Sequence, residues 1–491
     1  MKRSNTINGL FPAITNKFTL LLFLSIIFLL VIHDGSMNND EGMWSYIGRV
    51  WVENNMSPYV GAVENKTPGI FELFAVSHIL FGTNFIFVRL LGVIAILFSS
   101  FIVDLTAEKL HSPSAGIFSM TIFGLTMSWY LLDGAATGHT ETFMVLFSTL
   151  SFYLVIKGGG SGYWKLWIFL AGFTMGSAIA FKQIALTTAM ALLIFFLVYH
   201  EPHLTIPKRL AGLCIITLGM TTATLFSLVP LLISKVTLKE YFDGAWFILL
   251  NPGSSADIIH RAVGFFNTWI NSRIVLFYPF FILLIFQTEL RRKKYFIGLM
   301  VWMFCDFVGV NSSGAYYGHQ IKQIVPSASL IIGISLSNFI TNRVNEKSMP
   351  PGRFFTLMMF LIILLLPYKQ FAVNIYNAMS GYSENKMRLA TYLREATKKD
   401  DYIYIAGCDG NTILSYSGRI SSSKYFNTIF VTGNSEKEAL LSDLKDKPPL
   451  YLLSPPDMMP ELERFLVNDY VLLSSKTGRS GFNVFRLKNQ R

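Results

Sequence analysis

The sequence predicts a polytopic α-helical membrane protein of about eleven spans, followed by a small soluble α/β domain. Three observations predict it. Apolar residues come in runs of roughly 18 to 22, the length a helix needs to cross about 30 Å of hydrocarbon. Charged residues are 14% of the chain and hydrophobic ones 52%, whereas a soluble protein carries about 25% charged residues. Near residue 383 the composition turns to charged stretches alternating with strand-like ones.

The first run, 18–32, follows Lys2, Arg3 and Lys17. Basic residues before an apolar stretch resemble a secretory leader, but no small-residue cleavage site follows and many spans do, so it reads as an uncleaved first helix. Further runs lie near 84–104, 114–131, 140–156, 165–180, 184–199, 210–233, 272–286, 295–310, 321–340 and 354–368. With the N-terminus inside, the inner segments hold Lys2, Arg3, Lys17, Lys109, Lys157, Lys165, Lys208, Arg209, the run Arg291–Lys294, Arg343, Lys347 and Arg353. The short outer loops hold roughly half as many, the asymmetry that sets orientation. An odd number of spans then puts the tail outside the cytoplasmic membrane. Domain bounds follow: 1–370 for the membrane part and 371–491 for an extracytoplasmic domain.

Two outer segments are too long for turns, 33–83 and 234–271. The first holds Trp44, Tyr46, Trp51 and Tyr59, which suit short amphipathic helices at the membrane interface. The spans 165–180 and 184–199 are joined by little more than Phe181-Lys182-Gln183, which puts a lysine at the outer end of a tight hairpin. In the tail, 384–399 has helical periodicity, and 402–406, 451–454 and 470–475 read as strands.

Net charge is +11. The basic residues sit between apolar runs rather than in a stripe interleaved with aromatics, so they read as topogenic charge facing anionic lipid and not as a nucleic-acid surface. Cys214, Cys305 and Cys408 have no CxxC spacing, so neither a disulfide framework nor a thiolate metal site is indicated.

The polar residues left over gather at the outer ends of the spans. Asn38-Asn39-Asp40-Glu41 follows the first span; its acids are either solvated loop residues or a general base in a partly dehydrated cleft. Lys66, in Glu64-Asn65-Lys66-Thr67-Pro68, is either a snorkelling anchor or a point charge for a lipid phosphate. Asp133 and His139-Thr140-Glu141 come at the mouth of the fourth span. The plainer reading of the latter is a capped helix start, with Glu141 in the first turn; against it, a glutamate entering a membrane helix is expensive. His319 and Lys322 stand three apart at a helix start, where both can donate to an anion, and Lys182 ends on the same side. Acids for a hydroxyl and cations for a phosphate, all at the lipid boundary, describe a reaction between a lipid-phosphate donor and an acceptor outside the membrane. The spans show no charge buried at mid-length, where a carrier would need it.

At this point the chain resembles the GT-C glycosyltransferases, in the bacterial branch related to dolichyl-phosphate-mannose–protein mannosyltransferases and lipid A aminoarabinose transferases. The resemblance rests on Asp40-Glu41 after the first span, Pro58-Tyr59, Lys66-Thr67-Pro68, Phe81-Gly82…Arg89-Leu90, Thr140-Glu141, Phe181-Lys182-Gln183, and His319-Gln320-x-x-Gln323-x-x-Pro326. The tail, with Asp401-Tyr-Ile-Tyr-Ile-Ala-Gly and Tyr416-Ser-Gly-Arg419, is similar to the small outer domain of several such enzymes. Lys66-Thr67-Pro68 departs from the Lys-Pro-Pro of the aminoarabinose branch, which puts that donor and a lipid A acceptor in doubt.

The resemblance implies a membrane glycosyltransferase, hexosyl or pentosyl, that moves a sugar from a polyprenyl-phosphate donor to a glycan, lipid or protein hydroxyl outside the membrane, with inversion. It implies Asp40 as base, Glu41 as its support (or the base itself), and Glu141 as a second acid. Lys66 would contact the donor phosphate, with Lys182, His319 and Lys322 as further candidates. No nucleotide site is needed, in keeping with the lack of a Gly-rich phosphate loop. Some relatives use a divalent cation; the dispersed acids show no metal-ligand spacing, so no metal residues are assigned. The alternatives are a carrier or flippase for polyprenyl-linked glycans and a non-catalytic scaffold displaying its outer domain.

Overall fold

The computed structural model describes residues 7–31, 37–128, 138–159, 161–200, 204–250, 258–270, 274, 277–284, 287–344, 372, 382–456, 458–474 and 481–488. The helices, in chain order, are α1 (Ile7–Val31), α2 (Asn39–Asn54), α3 (Pro68–Phe81), α4 (Ile86–Leu110), α5 (Pro113–Met127), α6 (Thr140–Gly158), α7 (Trp164–Phe181), α8 (Ala185–His200), α9 (Ile206–Ile233), α10 (Leu238–Ala245), α11 (Ile258–Trp269), α12 (Tyr278–Leu283), α13 (Thr288–Arg291), α14 (Lys294–Ser312) and α15 (Val325–Val344). The tail adds α16 (Tyr382–Ala396), α17 (Asn411–Ser417), α18 (Asn434–Asp446) and α19 (Pro460–Asp469), with strands β1 (Tyr402–Ile405), β2 (Ile420–Ser421), β3 (Tyr451–Ser454), β4 (Tyr470–Ser474) and β5 (Asn483–Leu487).

Six helical segments among the described residues are long and apolar enough to cross a membrane: Ile86–Leu110, Thr140–Gly158, Trp164–Phe181, Ile206–Ile233, Lys294–Ser312 and Gly318–Ile340. Shorter apolar helices occupy the runs expected near 18–32, 114–131 and 184–199. The run near 272–286 is described in part, as α12, and the one near 354–368 lies outside the described residues. The multi-pass membrane architecture read from the sequence is present.

Contacts divide the chain into two units. The first comprises Met1–His33, Arg89–Ser227 and Ala256–Val373; the second comprises Asp34–Val88, Leu228–Ser255 and Asn374–Arg491. The first outer loop therefore groups with the tail.

The first unit is a helix bundle packed in two ways. Large aromatics fill one part, where Phe152 stacks on Trp302 at 3.5 Å between centroids and meets Phe195 edge-on. Elsewhere glycines let backbones touch. Gly172 and Gly176 of α7 and Gly219 of α9 form a seam in which a Cβ at Gly172 would come 2.0 Å from the Ile216 carbonyl oxygen. Such small-residue seams suit a solvent of lipid tails, where burying Leu against Leu gains little. Two acids lie inside helices, against the expectation of no charge within the spans. Asp104 of α4 pairs with Lys17 of α1 at 2.8 Å, and Asp306 is buried within α14.

The second unit combines α2, α3 and α10 with the tail domain. Its sheet has the order β2-β1-β3-β5-β4, with β1 parallel to β2 and β3, and β5 antiparallel to β3 and β4. β3 is buried along its whole length, as a central strand with YLLS must be. Tyr404, Leu440, Leu444, Leu452, Leu462 and Leu466 form the core beneath it. The expected helix at 384–399 and the three expected strands are present; β2 and β5 were not read from the sequence.

Trp44, Tyr46, Trp51 and Tyr59 are buried against protein within this unit. Tyr46 packs on Phe426 at 4.7 Å, and its hydroxyl accepts the Ser421 N–H at 3.0 Å. Trp51 donates to Ser234 Oγ at 2.8 Å. Trp44 meets Phe74 of α3, where Gly48 lets α2 approach so closely that a Cβ would come 2.7 Å from the Ala75 nitrogen. Val76, Ile79, Leu80 and Phe81, at the end of α3, are among the apolar residues that the unit leaves exposed.

Glu72 of α3 has one carboxyl oxygen buried without a hydrogen-bond partner among the described residues, and burial pushes its pKa from 4.5 up to about 7. Below pH 4.5 folded and unfolded chains both hold this proton. Between 4.5 and about 7 only the folded chain holds it, so stability falls as pH rises, by at most about 3 kcal/mol above that window. Glu72→Gln is thus expected to raise the thermal midpoint at about pH 8 and to change it little at about pH 5. Equal shifts at both pH values would refute this account of the carboxyl.

Candidate active site

The second unit presents the acids that follow the first span. Asn38 caps α2: its side chain accepts the Glu41 N–H at 2.8 Å, while Glu41 Oε2 accepts the Asn38 N–H at 3.1 Å. This reciprocal capping box commits the buried Glu41 carboxylate to the helix end. Asp40, one residue earlier, is part-exposed in the first turn, where the helix N-terminus favours its negative charge. The two adjacent acids are therefore not equivalent: Glu41 is buried in the capping box, and Asp40 is part-exposed beside it.

Lys66 stands just before α3. Its ammonium donates to Asn65 Oδ1 at 2.6 Å and to Glu64 Oε1 at 3.2 Å. Glu64 is fully buried; burial pushes its carboxyl up, the Lys66 ammonium pulls it back, and the charge of Asp40 adds to the rise. The Lys66 carbonyl accepts the Tyr59 hydroxyl at 2.7 Å. Tyr59 adopts a left-handed conformation (φ 70°), which is costly outside glycine, and its ring is fixed between Phe71 and Tyr241. The sequence singled out Lys66 but did not show that Glu64 and Tyr59 hold it.

The first unit gathers the remaining candidates. His139 is the N-cap residue of α6 and makes no side-chain cap bond, while Glu141 lies in the first turn and is buried. Glu141 forms an ion pair and hydrogen bond with Lys182, the C-cap residue of α7, and accepts Thr140 Oγ1 at 2.9 Å. His319 Nε2 lies 3.7 Å from the same carboxylate, and its ring meets His139 edge-on at 4.9 Å. Lys322 is buried, with its ammonium 3.4 Å from Thr142 Oγ1. His319 and Lys322 lie in a 3-10 segment, Gly318–Ile324, that leads into α15. At three residues per turn, positions three apart stack above one another, so the expected shared face is present in a tighter helix. Burial and the nearby Lys322 ammonium push the His139 imidazole well below its usual range, which holds it neutral. Thus Glu141, Lys182, His319 and Lys322 come together, whereas Asp133 lies outside the described residues.

The two imidazoles are nitrogen donors of the type a zinc-class cation takes, and they lie within 4.8 Å of one another.

A polar cluster behind these residues was missed from the sequence. Asp306 accepts Thr188 Oγ1 at 2.6 Å, with Gln323 Nε2 and Ser327 Oγ each at 3.4 Å. Gln323 Nε2 also lies 2.9 Å from Thr187 Oγ1 and 3.2 Å from the Ile184 carbonyl. Gln323 follows Lys322, and Ile184 closes the hairpin that carries Lys182, so the cluster fixes both lysines' backbones to α14. A lone aspartate inside an apolar run was the available signal.

Beside this site is a half-open apolar cavity of about 360 Å³. Trp269, Phe277, Phe281, Met303, Phe307 and Ile321 are among the residues lining it.

A bundle of apolar helices and a small α/β domain are both present, the fold class that the resemblance read from the sequence implied. Residues 65–228 match the family model for dolichyl-phosphate-mannose-protein mannosyltransferase. ArnT from Cupriavidus metallidurans in the apo state superposes with a TM-score of 0.64 at 14% identity, over 96% of this chain and 98% of that one. The same protein bound to undecaprenyl phosphate gives 0.61 at 14% identity, over 95% and 97%. The archaeal oligosaccharyltransferase AglB from Archaeoglobus fulgidus, in complex with an inhibitory peptide and a dolichol-phosphate, gives 0.56 at 10% identity, over 89% and 69%. At these identities the structural likeness is one of fold. No curated protein matches the chain by sequence.

Removing one partner of a buried ion pair strands the other, at a cost of roughly 3–5 kcal/mol. Lys182→Met is therefore expected to lower the unfolding midpoint strongly, and Glu141→Gln added to it should recover most of the loss. A double variant no more stable than Lys182→Met alone would show that the pair does not govern stability here.

Proposed function

We propose that the chain is a membrane glycosyltransferase that moves a sugar from a polyprenyl-phosphate donor to a hydroxyl of a glycan, lipid or protein acceptor outside the cytoplasmic membrane. The observation that carries this reading is the two-sided character of Gly318–Ile324. Ile321 and Ile324 line the apolar cavity, while His319 and Lys322 of the same segment belong to the buried polar cluster with Glu141 and Lys182. A ligand that suits both is an amphiphile with a long apolar chain and an anionic head. A polyprenyl phosphate has that chemistry, and two of the related structures hold one: undecaprenyl phosphate in ArnT and dolichol-phosphate in AglB.

The mechanism follows from the residue types. Asp40 accepts the proton of the acceptor hydroxyl as its oxygen attacks the anomeric carbon. The bond from that carbon to the phosphate oxygen breaks, and polyprenyl phosphate leaves with the electron pair. Inversion at the anomeric carbon results from a single displacement. Lys66, and with it Lys182, His319 and Lys322, offset the charge that grows on the phosphate, an effect worth most where water is excluded. Glu141 holds Lys182 in place. Glu41 serves by capping the helix that carries Asp40, which favours Asp40 as the base. The N-terminus lies inside, and 371–491 forms an outer domain whose contacts extend to the first loop. If a divalent cation takes part, the His139–His319 pair is where its nitrogen ligands would come from.

The test is transfer from a panel of polyprenyl-phosphate hexoses and pentoses by purified protein in lipid. Asp40→Asn should lower turnover by roughly 10²–10⁴-fold with donor binding retained, and Lys66→Ala should weaken donor binding. Full turnover by Asp40→Asn would remove the base. Donor transport without transfer would favour a carrier, and neither binding nor turnover would favour the scaffold.

A further inference from the structure

The turn that bears Asp40 is held by the tail domain from several sides. Thr412 Oγ1 lies 3.4 Å from the Met37 carbonyl and 3.3 Å from the Asn38 carbonyl. The Tyr416 hydroxyl accepts the Met37 N–H at 3.3 Å. Gly42 packs so closely on α17 that a Cβ would come 2.7 Å from Thr412 backbone atoms. At the centre is Asn39, the residue before Asp40. Its amide nitrogen donates to Asp409 Oδ1 at 2.6 Å, and its amide oxygen accepts the Lys386 ammonium at 3.2 Å.

A charge on each end of one amide makes both hydrogen bonds charge-assisted, roughly twice as strong as neutral ones. It also fixes which way the amide faces. Lys386 is buried, and a buried ammonium is retained only where it is well bound. The arrangement joins α16 and the segment Cys408–Gly410 to the first turn of α2, more than 300 residues earlier in the chain. A fold that needed only to dock its tail could do so through the apolar contacts of Tyr46 and Phe426. Two opposite charges aimed at the residue beside a carboxylate serve to orient that turn.

We infer that Lys386 and Asp409 of the tail domain are positioning residues, which act through Asn39 to fix the Asp40 carboxylate for proton transfer. This rests on Asp40 being the base. The tail domain is thus part of the catalytic apparatus and not only a surface for acceptors. Misplacement of a reacting group by about 1 Å can cost 100-fold in rate, so loss of the clamp should appear in kcat and spare donor binding.

The experiment compares transfer kinetics of the full chain in lipid, with the donor identified by the panel, for wild type, Asp40→Asn, Asn39→Ala, Lys386→Met, Lys386→Arg and the Asn39→Ala/Lys386→Met pair. Asn39→Ala and Lys386→Met should each lower kcat roughly 10- to 100-fold with donor KM within about twofold. Lys386→Arg should recover most of the rate, and the double variant should be no slower than the slower single one, because both act through one amide. Unchanged kcat in the single variants, alongside an inactive Asp40→Asn, would overturn the positioning role while leaving the base in place. So would multiplying losses in the double variant, or a fall in kcat that tracks a lower unfolding midpoint and is not rescued by arginine. An active Asp40→Asn, or no transfer from any donor, would overturn the base and this inference together.

Discussion

A carboxylate buried at the edge of an apolar bundle must be matched, and the match of Glu141 with Lys182 organises the first unit. Placing both charges away from water is tolerable only when each finds the other. That requirement ties the start of α6 to the end of α7 and sets the hairpin carrying Lys182. It also brings His319 within 3.7 Å of the same oxygen. The Asp306 cluster repeats the principle with neutral donors one layer deeper. Between them, ionic and neutral hydrogen bonds decide the geometry of a region where burial of apolar surface, being free in every direction, decides little.

The second unit relies on a different device. The turn that opens α2 is shaped by a capping box, which the Asn38-x-x-Glu41 spacing states in the sequence. Read that way, the two adjacent acids separate into Glu41, which closes the capping box, and Asp40, which stands beside it. Lys66 is likewise shaped locally, by Glu64, Asn65 and a strained Tyr59. Local spacing therefore accounts for the form of both segments, and tail contacts account for where the turn points.

Membrane helices were legible because hydrocarbon thickness imposes a run length that no other fold requires, and the tail's longer strands because β-branched and aromatic residues alternate with charged helices. What the sequence did not show is long-range. Trp44 and Tyr46 look interfacial in isolation, since an aromatic beside a span suits a headgroup region as well as a core. Tyr46 is buried because a domain some 370 residues later packs on it, as the Ser421-to-Tyr46 bond shows, and Trp44 is packed on Phe74 of α3. Lys386 and Asp409 look like ordinary surface charges for the same reason. β2 is two residues long and so leaves no periodicity, whereas β5, with Asn483-Val-Phe-Arg-Leu487, could have been read. Asp306 was also readable and was passed over as one charge in a long apolar stretch.

The glycine seam between α7 and α9 has a consequence for how the chain is made. The two helices that touch there are not neighbours in sequence; α8 is synthesised between them. A contact of backbone on backbone gains almost nothing until both partners are aligned, so α7 enters the bilayer with a flat, unoccupied face. That face stays open to lipid, or to another protein's helix, until the third helix of the set has arrived. Biosynthesis therefore passes through a stage in which the bundle's narrowest contact is its most exposed one, and in which a membrane chaperone or a competing small-residue helix has its opportunity.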